Sequence, residues 1–469
     1  MYTINFSNGE KTHAHFIGIG GISMSGFAEL LRSRGFTVSG SDRTKSPITE
    51  HLESLGIKVA YEQVAANITD DIDVVIYTAA IHPDNPEYAE CVRRGLPMME
   101  RAELVGQVMK NYSTAVAVAG THGKTTTTSI ASHMMISAGM DPTISVGGIL
   151  PAIGGNIRIG ESANFITEAC EYTNSFLKFA PTVGIILNIE EDHLDFFKDI
   201  HEIRDSFRRF AELLPAEGAL ILNADIENYE ELTKGLPCRI ITYRISGEAD
   251  YTAENITYDE LGHPRFTAVV KGENRRIDCS LQIPGLHNVG NTLACLAMAD
   301  VLGIEEAAVT RALADFKGTE RRFEYKGVCR TEAAPDQGFT IIDDYAHHPT
   351  EIRATLSAAE KYPHREIWVA FQPHTYTRTR ALLSDFAEVL STADHVLLAD
   401  IYAAREPDPG DISSRDIADL IQKKGKDATY LGDFESIQKF ILKNLVDGDL
   451  LITMGAGNIV DIGEALLKD

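Results

Sequence analysis

Short apolar runs that stop at glycine-rich turns, followed by apolar positions three and four apart, set the rhythm of the chain. The first is Phe16-Ile17-Gly18-Ile19-Gly20-Gly21, followed by Phe27, Leu30 and Leu31 at helical spacing. The second is Ala115 to Ala119, then Gly120-Thr121-His122-Gly123-Lys124 and a helix-like stretch. The third is Leu450 to Met454, then Gly455-Ala456-Gly457 and an apolar helix over 459–467. Further strand-like runs fall at 73–77, 184–188, 340–343, 367–371 and 395–399. Strands alternating with helices predict an α/β protein of parallel sheets covered by helices. Between about Arg239 and Gln282, turn residues separate short alternating runs, which predicts a small antiparallel excursion. At about 100–200 residues per domain, 469 residues make roughly three domains, divided as 1–111, 112–318 and 319–469.

Composition narrows the class. The chain is 44% hydrophobic and 24% charged, enough to bury a substantial core. A net charge of −25 argues against nucleic acid and anionic membrane surfaces as partners, so an anionic substrate must be held by local devices such as helix N-termini and single basic residues. Six cysteines lie scattered with no C-x-x-C, which suits reduced thiols and a cytoplasmic location. The first residues are polar rather than signal-like, and no run approaches the ~18 apolar residues of a membrane helix.

The second glycine turn carries the strongest chemistry. Backbone N–H groups at a helix start face phosphates, Lys124 adds a point charge at an exposed strand–helix junction, and a threonine hydroxyl can hold Mg²⁺. Two later strands end in Glu168 and in the loop Glu190-Glu191-Asp192-His193-Leu194-Asp195. In a parallel sheet both ends open on the edge that carries the phosphate loop, so Glu168 and His193 can converge on a cation bridging ATP oxygens. The first glycine turn is a partial dinucleotide fingerprint: Gly18, Gly20 and Asp42 fit, but Ser23 replaces the third glycine. Alone it leaves a nicotinamide dehydrogenase open. A separate ATP loop and the lack of a recognisable hydride-transfer domain argue against it.

The compressed motif G-T-x-G-K-T-T-T resembles the Mur ligase and folylpolyglutamate synthase superfamily, and motifs in the same order along nearly the whole chain resemble the Mur ligases. They include the glycine turn with Ser39-Gly40-Ser41-Asp42, Glu100-Arg101-Ala102-Glu103, the Glu168 to His193 pair, Pro284-Gly285-Leu286-His287-Asn288, the segment 318–324, Asp343 to Pro349, and Phe371 to Thr379. The resemblance implies a Rossmann-like N-terminal UDP-sugar domain, a P-loop ATPase-type central domain and a Rossmann-like C-terminal amino-acid domain. It implies ATP-dependent ligation of L-alanine to the lactyl carboxylate of UDP-N-acetylmuramate, in peptidoglycan precursor synthesis.

By residue, it implies that Gly18, Gly20, Gly21, Ser23, Asp42 and Arg101 bind the UDP-sugar. Gly120, Thr121, His122, Gly123, Lys124, Thr125, Thr126, Asn288, Asn291, Arg322 and Asp344 would bind ATP. Thr125, Glu168 and His193 would hold Mg²⁺, with Lys124, Glu168 and His193 catalytic, and Tyr345, His347, His348 and Arg378 would face the amino acid. A helix N-cap is the plainer role for Asn288, and a solvated helix start for Arg101. The family's acid after Glu168-Ala169 is Cys170 here. The implied partners are small molecules only, with a homodimer compatible. A ligase adding a preformed peptide and a silent scaffold are the remaining readings.

Overall fold

The computed structural model describes residues 2–272, 275–331 and 334–468. Three sheets follow one another along the chain. The first is all parallel, ordered Lys58–Ala60, Thr37–Ser41, His13–Ile17, Val74–Tyr77 and Met98–Glu100. In the second, Arg239–Tyr243, Ala219–Asn223, Val183–Ile186, Thr114–Ala119, Asn164–Ala169 and Thr143–Leu150 run parallel. On one side Tyr251–Tyr258 joins Arg239–Tyr243 in parallel and then forms an antiparallel meander with Pro264–Val270 and Arg275–Ser280, and on the other side Gly155–Arg158 is antiparallel to its neighbour. The third is ordered Glu324–Thr331, Ala334–Asp344, Leu450–Met454, Ile367–Phe371, His395–Ala399 and Asp427–Gly432, parallel except at its first strand.

The α/β class and the antiparallel excursion are as the sequence predicts. The antiparallel edge strands Gly155–Arg158 and Glu324–Thr331 are not, because their short mixed runs lack clean alternation.

The strand Thr114–Ala119 shows why the middle sheet is buried on both faces. Ala115, Ala117 and Ala119 point to one side, where small side chains leave room for Phe165, Phe176 and Phe210. Val116 and Val118 point to the other, against Ile130, Met134, Leu293 and Leu296 of the helices Lys124–Ser137 and His287–Val301. A strand with two apolar faces belongs in the centre of a parallel sheet. Register sets Ala119 beside Ala169 and Ile186, so the phosphate loop, Glu168 and the 190–195 loop emerge at one sheet edge.

Candidate active site at the meeting of the second and third sheets

The loop after Thr114–Ala119 turns at two glycines with left-side backbone, Gly120 at φ 144 and Gly123 at φ 83. A Cβ on Gly123 would also lie 3.1 Å from Asn291 Oδ1, so glycine is required there on two counts. Lys124, the first residue of the helix, is less exposed than a loop–helix junction predicts. Its side chain is 16% exposed, and Nζ donates to Gly120 O at 2.5 Å, Thr121 O at 3.0 Å and Glu171 Oε2 at 3.2 Å. Burial works against its charge, but the Glu171 carboxylate outweighs burial and holds the ammonium above its usual range.

No motif marks Glu171. It is buried, and its second oxygen, Oε1, lies 3.9 Å from His193 Nε2 with no hydrogen-bond partner. Three residues after Glu168, it was visible only as a second acid past a strand end. Glu168 itself accepts from Gly147 N at 2.6 Å. His193 takes a left-handed backbone at φ 55 and stacks on Tyr172 with ring centroids 4.5 Å apart. Thr125 Oγ1 accepts from Arg322 Nη2 at 3.3 Å. The chemistry of this set suits Mg²⁺, which prefers oxygens, and the unpartnered buried Glu171 oxygen beside the phosphate loop is what a cation would satisfy, although Glu168, Glu171 and His193 are not drawn together within 4.8 Å of one another.

A cavity between the second and third sheets is lined by Gly123, Thr126, Asn288, Asn291, Arg322 and Asp344 together with His122. Seven residues expected from different motifs therefore share one wall. Asn288 is not a helix cap: Leu286 occupies that position, while Asn288 Nδ2 donates to Pro284 O at 2.7 Å and Oδ1 accepts from Asn291 at 3.0 Å. Burial pushes the Asp344 carboxyl up to about 6, against donors that favour its charge: Ala346 N at 2.8 Å, Phe323 N at 3.0 Å and Thr355 Oγ1 at 3.1 Å.

His122 bridges domains. Its Nε2 lies 3.4 Å from Glu190 and its Nδ1 3.4 Å from Glu351 of the helix Pro349–Ala359. Nε2 makes no well-aligned hydrogen bond, so its contact with Glu190 is ionic. Burial opposes the charge, yet the two carboxylates push the imidazole up to about 9. Possible ligand atoms of His122, Glu190 and His348 lie within 4.8 Å of one another, and an imidazolium between carboxylates accounts for that cluster without a metal ion.

The amino-acid residues expected from the third domain are spread out. Arg378 lines a second cavity with Tyr172, Asp192, His193, His374 and Arg405. Its Nη2 and Nε meet Asp192 Oδ1 at 2.8 and 3.1 Å. Burial opposes charge on Asp192, but Arg378 and His193 hold its carboxyl far below the usual range. His348 sits against the phosphate loop instead, its ring 4.5 Å from that of His122 and its Nε2 3.1 Å from Glu191 O. His347, pulled down to about 4 by burial, bonds Tyr345 O and Glu351. The Tyr345 ring lies under Arg321 and Arg322, at 4.9 and 5.0 Å.

At the first glycine turn, Asp42 Oδ2 accepts from Gly20 N at 2.8 Å, and Gly18 and Ile19 donate to Ser41 O. Gly18 takes φ 82, Gly21 starts the helix Ile22–Ser33, and Arg101 reaches the turn through Ser23 Oγ at 3.3 Å, so it is not merely a solvated helix start. Outside the described turn, a cavity nearby is lined by Arg43, Gln63, His82 and Asn85.

Three α/β sheets in series, with a phosphate loop on the middle one and cavities where the third meets it, define the architecture of a multidomain nucleotide-dependent enzyme. Family descriptions match each third of the chain: "Mur ligase family, catalytic domain" over residues 13–113, "Mur ligase middle domain" over 118–299 and "Mur ligase, glutamate ligase domain" over 321–457. The chain belongs to the Mur ligase family. A UDP-N-acetylmuramate–L-alanine ligase of Agathobacter rectalis is 58% identical over 468 residues, covering 100% of both chains. The same-named protein of Caldanaerobacter subterraneus is 50% identical over 455 residues, covering 97% of each. Among solved structures, the UDP-N-acetylmuramate-alanine ligase of Thermotoga maritima aligns with a TM-score of 0.79 at 29% identity, covering 97% of this chain and 98% of that one. A murein peptide ligase of Psychrobacter arcticus aligns at 0.69 and 25% identity, with the same coverage.

Proposed function

We propose that this chain uses ATP to join L-alanine to the lactyl carboxylate of UDP-N-acetylmuramate through an acyl phosphate, in the cytoplasmic synthesis of peptidoglycan precursor. The observation that carries the reading is whole-length likeness to proteins of that name, at 58% identity, in a chain that keeps Lys124, Glu168 and His193 at one sheet edge. Among the described residues no helix is long and apolar enough to cross a membrane.

In this mechanism the first domain presents the sugar nucleotide through the turn of Gly18, Gly20, Gly21 and Ser23, with Asp42 and Arg101 shaping it. Asn288 and Asn291 face the adenine side, and the N–H groups of 120–126 face the phosphates. Lys124 turns from the loop carbonyls to the transferring phosphoryl group, where a fixed positive charge stabilises charge developing in the transition state. Thr125, Glu168 and His193, with Glu171 beside them, would hold Mg²⁺, which when bound neutralises phosphate charge. Arg322 adds a guanidinium at the phosphates, and Asp344 holds the backbone of Phe323 and Ala346 in place. Arg378, in the cavity beside His193, takes the amino acid, whose amine then displaces phosphate. Contacts of the third domain with the loop, through Glu351 and Arg322, exclude water that would hydrolyse the acyl phosphate. The division into 1–111, 112–318 and 319–469, and a homodimeric assembly, belong to the same proposal.

Phosphate release with UDP-N-acetylmuramate, ATP and a panel of amino acids tests it. L-alanine is expected to be best, with glycine weaker by about 10–200-fold because one methyl group separates the two. Preference for D-glutamate or a preformed tripeptide would overturn the substrate assignment.

A further inference from the structure

The cavity beside His193 contains one acid whose two oxygens do different things. Asp192 Oδ1 is saturated: it accepts from Arg378 Nη2 at 2.8 Å, Arg378 Nε at 3.1 Å and the backbone N–H of His193 at 2.8 Å. Asp192 Oδ2 has no hydrogen bond among the described residues, and His193 Nε2 is 3.8 Å away. Asp192 and Arg378 both line the cavity. A guanidinium has five N–H groups, and Asp192 engages only those on one edge. Nη1 is turned toward His374, 3.2 Å from Nδ1 and 3.5 Å from its backbone oxygen, so that one N–H, on Nη2, has no partner among the described residues.

An ion pair this buried, with side chains 11% and 9% exposed, stabilises little by itself, since desolvation offsets its attraction. Its arrangement does match one ligand. An α-amino acid is a zwitterion with ammonium and carboxylate on neighbouring atoms of one short frame. Its complement is a guanidinium next to a carboxylate oxygen with spare lone pairs, and Arg378, with one unpartnered Nη2 N–H and long contacts to His374 that a carboxylate can displace, presents this beside Asp192 Oδ2. A site with Arg378 alone would take any small carboxylate, including one with no amine to react.

We infer that Asp192 binds the α-ammonium of the incoming amino acid through Oδ2 while Arg378 takes its carboxylate, so that the pair selects a zwitterion and aims the amine toward the His193 side of the cavity. The inference rests on the reading that this cavity receives an amino acid. It makes Asp192 a substrate-binding residue rather than a strut for Arg378. The two roles differ in what happens to ligands carrying only one of the charges.

The experiment compares L-alanine as substrate with L-lactate, which lacks the ammonium, and L-alaninamide, which lacks the carboxylate, as competitors. In the unaltered enzyme both should compete with L-alanine. Asp192→Asn should raise the KM for L-alanine by about 10–100-fold, the worth of a charge-assisted hydrogen bond, and weaken L-alaninamide similarly. It should leave L-lactate inhibition and the KM for ATP unchanged. Arg378→Ala should do the reverse, abolishing L-lactate inhibition. Equal weakening of L-lactate and L-alanine by Asp192→Asn would reduce Asp192 to a strut and overturn the inference, as would an unchanged KM for L-alanine. If the variant does not fold, failure of L-alaninamide to compete in the unaltered enzyme overturns it as well. An enzyme that uses a tripeptide instead of L-alanine fails the substrate reading separately, and the comparison is then made between that peptide and its N-acetylated form.

Discussion

Two glycine turns in this protein share one local plan and differ in what answers their polar groups. The turn at Gly18–Ser23 is satisfied mainly by its own sheet: Gly18 and Ile19 donate to Ser41 O, and Gly20 donates to Asp42, which also accepts from Arg43 N at 2.8 Å. The turn at Gly120–Lys124 is answered from elsewhere. Asn188 Oδ1 accepts from His122 N at 2.7 Å, Glu171 meets Lys124, Glu190 and Glu351 flank His122, and Arg322 reaches Thr125. A turn closed on itself is a holder for a ligand. A turn whose charges are held by other strands and another domain can transmit what it holds, because moving any partner moves its charge.

The contrast predicts unequal costs. Lys124→Ala should lower turnover by at least about 10²–10³-fold, the cost of losing a fixed charge on the transferring group. It should also lower the melting temperature, because buried Glu171 is left unpaired. Adding Glu171→Gln should restore melting but not turnover. Recovery of turnover in the double variant would mean that Lys124 serves the fold alone.

His122 should carry the next largest effect, read as stability against pH. Its pKa is raised from 6.5 to about 9 in the fold, so its stabilisation is present in full below about pH 6.5 and is lost as pH rises through about 9. At about 1.36 kcal/mol per pKa unit this is of order 3 kcal/mol. Thermal melting between pH 6 and 10 should therefore decline in the parent, and the decline should flatten in His122→Ala. No substitution in the first turn should flatten it.

Glu168→Gln and His193→Ala should each raise the Mg²⁺ concentration needed for half-maximal rate by about 10-fold or more, whereas Cys170→Ser should leave it unchanged. Burial raises the Cys170 thiol to about 11, so it is neutral at working pH and a poor cation ligand. Equal Mg²⁺ dependence in all three variants would remove the metal from this edge.

The smallest effect is expected at the first turn. Asp42→Ala should cost about 1 kcal/mol of stability, measured by denaturant unfolding, since it removes one side chain's bonds to turn N–H groups. It should raise the KM for the sugar nucleotide while sparing that for ATP. A change in the KM for ATP would show that the two turns are coupled after all.

Much of this was legible in the chain. Apolar runs ending at glycine located the strands beneath both turns, and G-T-H-G-K-T located the phosphate loop, because strand periodicity and left-handed glycines are local requirements met within a few residues. Glu168 and His193 were legible as strand-end residues on the loop's edge, since parallel register alone brings those ends together. Nothing in the chain sets Glu171 or Asp192 apart, although Glu171 lies just past Glu168 and Asp192 lies within the 190–195 loop. Nothing in a run of acids says which one is buried or which cation it meets.

What the sequence determined by itself is the α/β class, the position of the phosphate loop and seven of the residues that line the cavity between the second and third sheets. What only the tertiary structure decided is which charges pair. Arg378 meets Asp192 across 186 positions, and His122 meets a carboxylate on the third domain's helix. Backbone periodicity is fixed by neighbours along the chain, but the partner of a buried charge is fixed by whatever the completed packing brings within about 4 Å, where Coulomb attraction can repay the loss of water.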